Sequence, residues 1–139
     1  MQTKGSIGYV ETAYAKQNKL TTTKMVNKDG KTVEATPDAI MSAAAGADWA
    51  KAPGFYMILT DEPGAKSWPI AGATFILVPK QPKDIAATKE ALKFFEWAYK
   101  NGDDMAKGLD YIPMPDNVVS LIQAKWKSEI KDDSGKPVF

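Results

Sequence analysis

The chain has 139 residues, the size of one ordinary domain, and its 44% hydrophobic and 25% charged residues are typical of a folded protein rather than a disordered one. It has no His and no Cys, and all 18 basic residues are Lys, which excludes the usual general base, a thiolate nucleophile, a zinc–thiolate site and an arginine fork for phosphate or carboxylate. The net charge is only +1, and the lysines are scattered along the sequence rather than clustered. Both features argue against nucleic-acid binding, which usually requires a strong basic patch.

Strand and turn signals dominate the first third of the chain. Residues 7–10 predict a short strand, and residues 12–18 suit a short helix. Residues 21–26 are rich in β-branched side chains and predict a strand. The turn signal Asn-Lys-Asp-Gly at residues 27–30 then predicts a hairpin whose returning strand covers residues 31–33.

A helix start follows, and then two apolar stretches. Thr36 is suited to cap a helix whose first position is Pro37, and Gly46 is suited to end it after residues 39–45. Residues 55–60 and 73–78 each read as a strand, with a turn over residues 61–66 between them.

The remainder of the chain is predicted to be helical. Apolar residues recur at helical spacing over residues 85–100, one further turn is expected over residues 103–107, and Pro113 and Pro115 open a last helix. Strands followed by helices favour an α/β or α+β class, in which the closing helices pack on a mixed sheet.

Few residues suggest chemistry. Gly5-Ser6-Ile7-Gly8 could form a backbone anion nest, although a strand entry with glycines for close packing is the favoured interpretation. The adjacent carboxylates Asp61-Glu62 and Asp103-Asp104 cannot converge on one substrate bond; Asp61 is expected to start a turn and Asp103 to cap a helix. We therefore expect no catalytic residue, no metal site and no cofactor.

The tryptophans could stack on a sugar or fill a core. Trp97 and Trp126 lie in or beside apolar helix faces, so the core is the favoured interpretation for them. Trp68 precedes a proline at a strand entry and could mark a domain junction or cap a core.

No apolar stretch approaches the ~20 residues of a membrane span, and the first ten residues contain no run long enough for a signal peptide. The longest apolar run, residues 75–78, is the size of a strand. The sequence therefore predicts no membrane insertion.

Five longer strings, in order along the chain, resemble the periplasmic phosphate-binding proteins, the solute receptors of phosphate ABC importers. They are GSIGYVETAYAKQNKL at 5–20, GADWAKAPG at 46–54, SWPIAGATFILVPK at 67–80, ALKFFEWAYKNG at 91–102 and LDYIPMPDNVVSLIQAKWKSEIKDDSGKPVF at 109–139. The last string resembles the C-terminus of the family, so the chain is expected to be the C-terminal portion of such a receptor.

The resemblance implies a partial periplasmic-binding-protein fold of type II, with an incomplete two-lobed architecture. Residues 1–68 would belong to the second lobe, residues 69–80 would be the hinge and return strand, and residues 81–139 would be the helical part of the first lobe. It also implies that the phosphate ligands of the family lie upstream of residue 1, so no ligand-binding residue is carried over. The apolar faces around Leu92, Phe95, Val119 and Trp126 would then lack part of the sheet on which they normally pack, and left bare they would form a sticky patch. The chain is expected either to cover them by dimerising or swapping elements, or to fold compactly as a truncated product.

Two functions remain open, and neither is enzymatic. In the first, the chain is a piece of a periplasmic phosphate receptor that docks on an ABC permease, and alone it binds phosphate weakly or not at all. In the second, it is a non-catalytic structural or self-associating module that covers its bare faces as a homodimer.

Overall fold

Five α-helices and one two-stranded hairpin form the regular structure of residues 3–139, the part of the chain that the computed structural model describes. The helices are α1 Thr12–Gln17, α2 Pro37–Gly46, α3 Ile85–Asn101, α4 Asp103–Gly108 and α5 Asp116–Glu129. The strands are β1 Met25–Val26 and β2 Thr32–Val33, and two short 3₁₀ turns, Trp49–Lys51 and Pro53–Phe55, follow α2.

The predicted helix starts are confirmed with one exception. The Thr36 hydroxyl accepts a hydrogen bond from the Ala39 amide at 3.2 Å, with Pro37 in the first turn of α2. Sequence reasoning missed Asp84, whose carboxylate caps α3 by accepting from the Ala87 amide at 2.9 Å. The prediction that Asp103 caps a helix was wrong: Gly102 takes that position because α3 runs on to Asn101, and Asp103 lies inside the first turn of α4.

The predicted hairpin is present but short. Met25 pairs with Val33 and Val26 with Thr32 in antiparallel register. Gly30 adopts φ 71°, a left-handed conformation that favours glycine, and its amide donates to the Asn27 carbonyl at 2.9 Å. Of the predicted strand 21–26, only the last two residues are paired, because β2 is itself only two residues long.

Three other predicted strands form no ladder. Residues 7–10 and 73–78 are irregular, and residues 55–60 contribute a single antiparallel bridge, from Thr60 to Ile70. A strand exists only where a neighbour accepts and donates its backbone hydrogen bonds, and residues 3–139 supply no such neighbour. The expected mixed sheet is therefore reduced, within these residues, to the β1–β2 hairpin.

Two apolar clusters form the core. The first joins the alanine face of α2 to residues that follow it and to one residue of α5; its buried members are Ala39, Ala43, Ala44, Ala47, Trp49, Leu59, Trp68, Ala71 and Val118. The second joins α3, α5 and the C-terminal tail through Leu92, Trp126, Ile130 and Val138. Ile122 packs against both clusters, so α5 connects them.

The helix faces that would lack part of their sheet are largely covered. Leu92 is fully buried and Trp126 nearly so, because the tail folds back over them. Lys131 and Pro137 form an antiparallel bridge, the Val138 amide donates to the Ile130 carbonyl at 3.0 Å, and Phe139 packs edge-on against Trp126 with ring centroids 5.7 Å apart. Of the two expected outcomes, residues 3–139 thus fit a chain that folds compactly over these faces by itself.

One buried amide ties the hairpin to the loop that precedes Trp68. The Asn27 side-chain nitrogen lies 3.0–3.2 Å from the carbonyl oxygens of Gly64, Ala65 and Ser67, and its oxygen accepts from the Lys31 amide at 2.9 Å. Removing this side chain would take the donor away from one buried and two partly buried carbonyl groups, which is costly.

We expect Asn27→Ala to lower the free energy of unfolding by about 1–3 kcal/mol, the usual cost of unsatisfied buried polar groups. Urea denaturation followed by circular dichroism measures the loss. Asn101→Ala is the matched control, because that exposed amide makes a single hydrogen bond, to the Trp97 carbonyl. Equal losses in the two variants would contradict the assigned role of Asn27.

We expect Leu92→Ala to destabilise the chain by about 2–5 kcal/mol, since truncating a fully buried leucine loses apolar burial and leaves a cavity. Leu109→Ala is the control: Leu109 is largely exposed, and its truncation is expected to stay within about 0.5 kcal/mol. The same denaturation experiment compares them, and a small loss for Leu92→Ala would show that the second cluster is not tightly packed.

Candidate functional site

The glycine-rich start lies on the surface and forms a turn rather than a ligand cradle. Gly5 adopts φ 78°, and the Ser6 hydroxyl donates to the Thr3 carbonyl at 2.8 Å. A Cβ atom added at Gly5 or Gly8 would meet no heavy atom within 4 Å, so close packing does not require glycine at either position. The left-handed turn is the physical reason for Gly5.

The paired carboxylates do not form a catalytic or metal-binding group. Asp61 lies in a turn with φ 56°, and its amide donates to the Pro69 carbonyl at 2.8 Å, so the prediction of a turn is confirmed. Asp104 lies 3.7 Å from the ammonium nitrogen of Lys107, one turn further along α4. Across residues 3–139, no three His, Cys, Asp or Glu side chains are grouped closely enough to hold a metal ion.

The tryptophans divide between core and surface. Trp49, Trp68 and Trp126 are buried, which confirms the core interpretation for Trp126 and shows that Trp68 fills a core. Trp97, expected in the core, is about half exposed (48%) and stacks on Phe94 with ring centroids 6.1 Å apart. Helical periodicity could not reveal this, because the stripe on α3 is wider than the surface that α5 and the tail cover.

An open groove of about 580 Å³ runs along Trp97 between α3 and α5. Its lining is mixed, with lysine and amide side chains beside the indole: Lys93, Glu96, Tyr99, Lys100, Asn101, Val119 and Gln123. Burial raises the pKa of the Tyr99 phenol, so this hydroxyl stays protonated at neutral pH. No set of convergent buried donors is present in the lining, and the groove offers contact surface rather than chemistry.

A second groove, of about 350 Å³, lies between α1, the start of α2 and the loop after α4. An ion pair borders it: the Lys16 ammonium lies 2.6 Å from the Asp110 carboxylate. Asp110 adopts φ 62°, which turns the chain after α4. The ion pair is partly exposed and contributes little to stability by itself, but it joins the first helix to the loop that leads into α5.

An unusual surface of the described residues consists of three apolar stretches without regular secondary structure, residues 7–10, 56–58 and 72–78, which we call the open segments. They contain large exposed side chains such as Ile7, Tyr9 and Leu77. Two of the segments are in contact, since the rings of Tyr56 and Phe75 lie 5.9 Å apart. Apolar side chains exposed in this way usually mark a surface that binds something.

The segment 72–78 is fixed at both of its ends. Ala71 belongs to the first cluster and Val78 packs against the second. Just beyond, the Lys80 carbonyl accepts a hydrogen bond from the Lys131 amide at 2.9 Å. The Lys80 ammonium also contacts the Glu129 carboxylate at 2.7 Å, which holds the segment against the end of α5.

Glu129 is the centre of a small ionic group at this anchor. Hydrogen bonds from the ammonium groups of Lys125 and Lys80 lower the pKa of the Glu129 carboxyl from its ordinary value of 4.5 to about 2. Both ammonium nitrogens lie 2.7 Å from carboxylate oxygens. The carboxylate therefore favours the folded state whenever it is ionised.

We expect the stabilisation from Glu129 to be present above pH 4.5 and to disappear as the pH falls towards 2, because the carboxyl has the lower pKa in the folded state. The difference in unfolding free energy between the wild type and Glu129→Gln should shrink over this interval. Chemical denaturation at a series of pH values measures it.

Lys80→Met serves as the control for this titration. Losing one of the two cations raises the pKa of Glu129, so the stabilisation that Glu129 provides should be lost at a higher pH than in the wild type. A difference between wild type and Glu129→Gln that does not vary with pH would show that the ion pairs do not persist in solution.

Comparison with known proteins identifies relatives along nearly the whole chain. It is 46% identical over 136 residues to the phosphate-binding protein PstS of Pasteurella multocida, which covers 98% of this chain and 40% of that protein. It is 48% identical to the PstS of Haemophilus influenzae, in a match that covers 94% of this chain and 39% of that protein. It is 46% identical to the PstS of Xylella fastidiosa strain Temecula1, in a match that covers 94% of this chain and 36% of that protein. No family model matches the chain.

The chain thus spans about two fifths of the length of these relatives. The predicted resemblance is confirmed. The relatives are named as phosphate-binding proteins. In residues 3–139, no helix is both long and apolar enough to cross a membrane.

Proposed function

Because this chain belongs to the family of PstS phosphate-binding proteins, we propose that it forms part of a solute receptor that binds inorganic phosphate for uptake by an ABC transporter. The observation that carries this proposal is the high identity along nearly the whole chain. The receptor would act in the periplasm, and its partners would be phosphate and the ABC permease.

We further propose that the chain supplies the C-terminal portion of a two-lobed receptor of type II. Residues 1–68 would belong to the second lobe, residues 69–80 would return the chain, and residues 81–139 would belong to the first lobe. The path of residues 71–80 from the first cluster to the second supports a linking role for this stretch. The boundary between the proposed lobes is not sharp within residues 3–139. Val118 lies in α5, which is assigned to the first lobe, but it packs with residues that are assigned to the second lobe.

The proposal places the phosphate ligands outside this chain. The sequence has no Arg, and among residues 3–139 the Ser6 hydroxyl is directed to its own turn rather than to an anion site. Each charged hydrogen bond to phosphate contributes roughly 1.5–3 kcal/mol, so a site without several of them binds weakly. Ion pairs with carboxylates further reduce the availability of lysines such as Lys16 and Lys80.

We expect isothermal titration of the purified chain with inorganic phosphate to give no measurable heat, because the proposal places the hydrogen-bonding groups of a dry phosphate site outside this chain. The complete PstS of Haemophilus influenzae, titrated under the same conditions, is the positive control. Saturable binding by this chain at micromolar phosphate would contradict the proposal and would place a ligand site within residues 1–139.

A second candidate function is a non-catalytic module that associates with itself. The open segments favour it, since uncovered apolar side chains such as Ile7 and Leu77 can be buried against a second copy. Sedimentation equilibrium over a range of concentrations distinguishes the two functions. A dimer that dissociates on Leu77→Lys would support the second candidate, and a monomer at all concentrations would reject it.

A further inference from the structure

The end of α3 joins an asparagine to a glycine that the fold requires. Of the four asparagines in the chain, Asn101 alone is followed by glycine. A Cβ atom at position 102 would lie 2.5 Å from the Ala98 carbonyl oxygen, closer than real side chains come, so the passage from α3 into α4 admits only Gly102. The fold therefore imposes an Asn-Gly dipeptide at a junction where the asparagine is exposed.

An Asn-Gly dipeptide is chemically labile, because glycine has no side chain to obstruct attack by its own amide nitrogen. The Gly102 nitrogen forms a bond to the side-chain carbonyl carbon of Asn101. The side-chain nitrogen of Asn101 takes up the amide proton of Gly102 and leaves as ammonia, and a succinimide ring remains. Water then opens the ring at one of its two carbonyl groups, which leaves aspartate or isoaspartate at position 101.

Two hydrogen bonds hold the reacting groups apart in the folded chain. The Gly102 amide donates to the Ala98 carbonyl at 2.7 Å, and the Asn101 side-chain nitrogen donates to the Trp97 carbonyl at 2.9 Å. Ring closure needs a free amide and a backbone rotated out of the helical conformation, so both bonds must break first. Helix ends fray and open locally more easily than the whole chain unfolds.

We propose that Asn101 is a site of spontaneous deamidation, and that opening of the last turn of α3, rather than unfolding of the whole chain, gates the reaction. The modification replaces a neutral amide by a carboxylate in the wall of the groove along Trp97, which Asn101 and Glu96 both line. It also removes the donor to the Trp97 carbonyl. The reaction does not depend on phosphate binding or on any other part of a receptor.

Asn18 provides a matched comparison within the same chain, because it lies at the end of α1. Its side-chain nitrogen donates to the Tyr14 carbonyl at 2.9 Å, as that of Asn101 does to the carbonyl one turn before it. The amide of the next residue, Lys19, donates to the Lys16 carbonyl at 3.1 Å. Lys19 has φ 51°, a left-handed conformation that glycine adopts more readily, so Lys19→Gly changes the following residue without opposing the fold.

The test incubates the folded chain at mildly alkaline pH and follows each asparagine by mass spectrometry of proteolytic peptides. We expect Asn101 to convert severalfold faster than Asn18 and Asn117, and severalfold more slowly than in the chain unfolded in guanidinium chloride. Lys19→Gly should raise the rate at Asn18 severalfold. Conversion at Asn101 no faster than at Asn117, equal rates in the folded and unfolded chains, or an unchanged rate at Asn18 in Lys19→Gly would overturn the proposal.

A second measurement separates local opening from global unfolding. Asn27→Ala removes hydrogen bonds to the loop before Trp68 and none within α3, and it is expected to destabilise the whole chain. If the last turn of α3 opens by itself, Asn101 should convert at the same rate in this variant as in the wild type. An acceleration in proportion to the loss of stability would show that only the globally unfolded chain reacts, and would overturn the proposal.

Discussion

Helix α5 is the element on which the packing of the whole chain depends, because it contributes to both apolar clusters. Val118 is fully buried among the alanines of α2, while two turns later Trp126 is buried against Leu92 of α3. Ile122 lies between and packs on both sides. Helix α5 therefore links the cluster built around α2 to the cluster built around α3 and the C-terminal tail.

The second constraint is that backbone N–H and C=O groups need hydrogen-bond partners. Helices satisfy this demand within one segment, and the hairpin satisfies it with a turn of a few residues, so these elements form within residues 3–139. The open segments cannot satisfy it locally, because strands that are not joined by a tight turn need neighbours from distant sequence. The chain therefore folds its helical and loop regions around two clusters, and residues 7–10 and 72–78 make no backbone–backbone hydrogen bond within residues 3–139.

These two constraints shape what the chain can do. A binding site for a small anion requires several convergent donors in a dry cleft, and the described residues place their polar groups in caps, turns and exposed ion pairs instead. What they offer is apolar surface on defined elements, with the two ends of residues 72–78 firmly anchored. Such a surface suits association with more polypeptide, which agrees with a chain that spans a minority of the length of its PstS relatives.

The sequence by itself determined the elements that depend on neighbours a few residues away. These are the cap at Thr36, the turn that ends at Gly30 and the long apolar stripe of α3, because capping, turn conformation and helical periodicity are local properties. The ordered series of motif strings also identified the family. Only the tertiary structure decided that Leu92 is buried by the returning tail while Trp97 remains at the surface, and that residues 72–78 form no ladder. Burial and strand pairing depend on which distant residues are present to make contact, and that information is not contained in the local pattern.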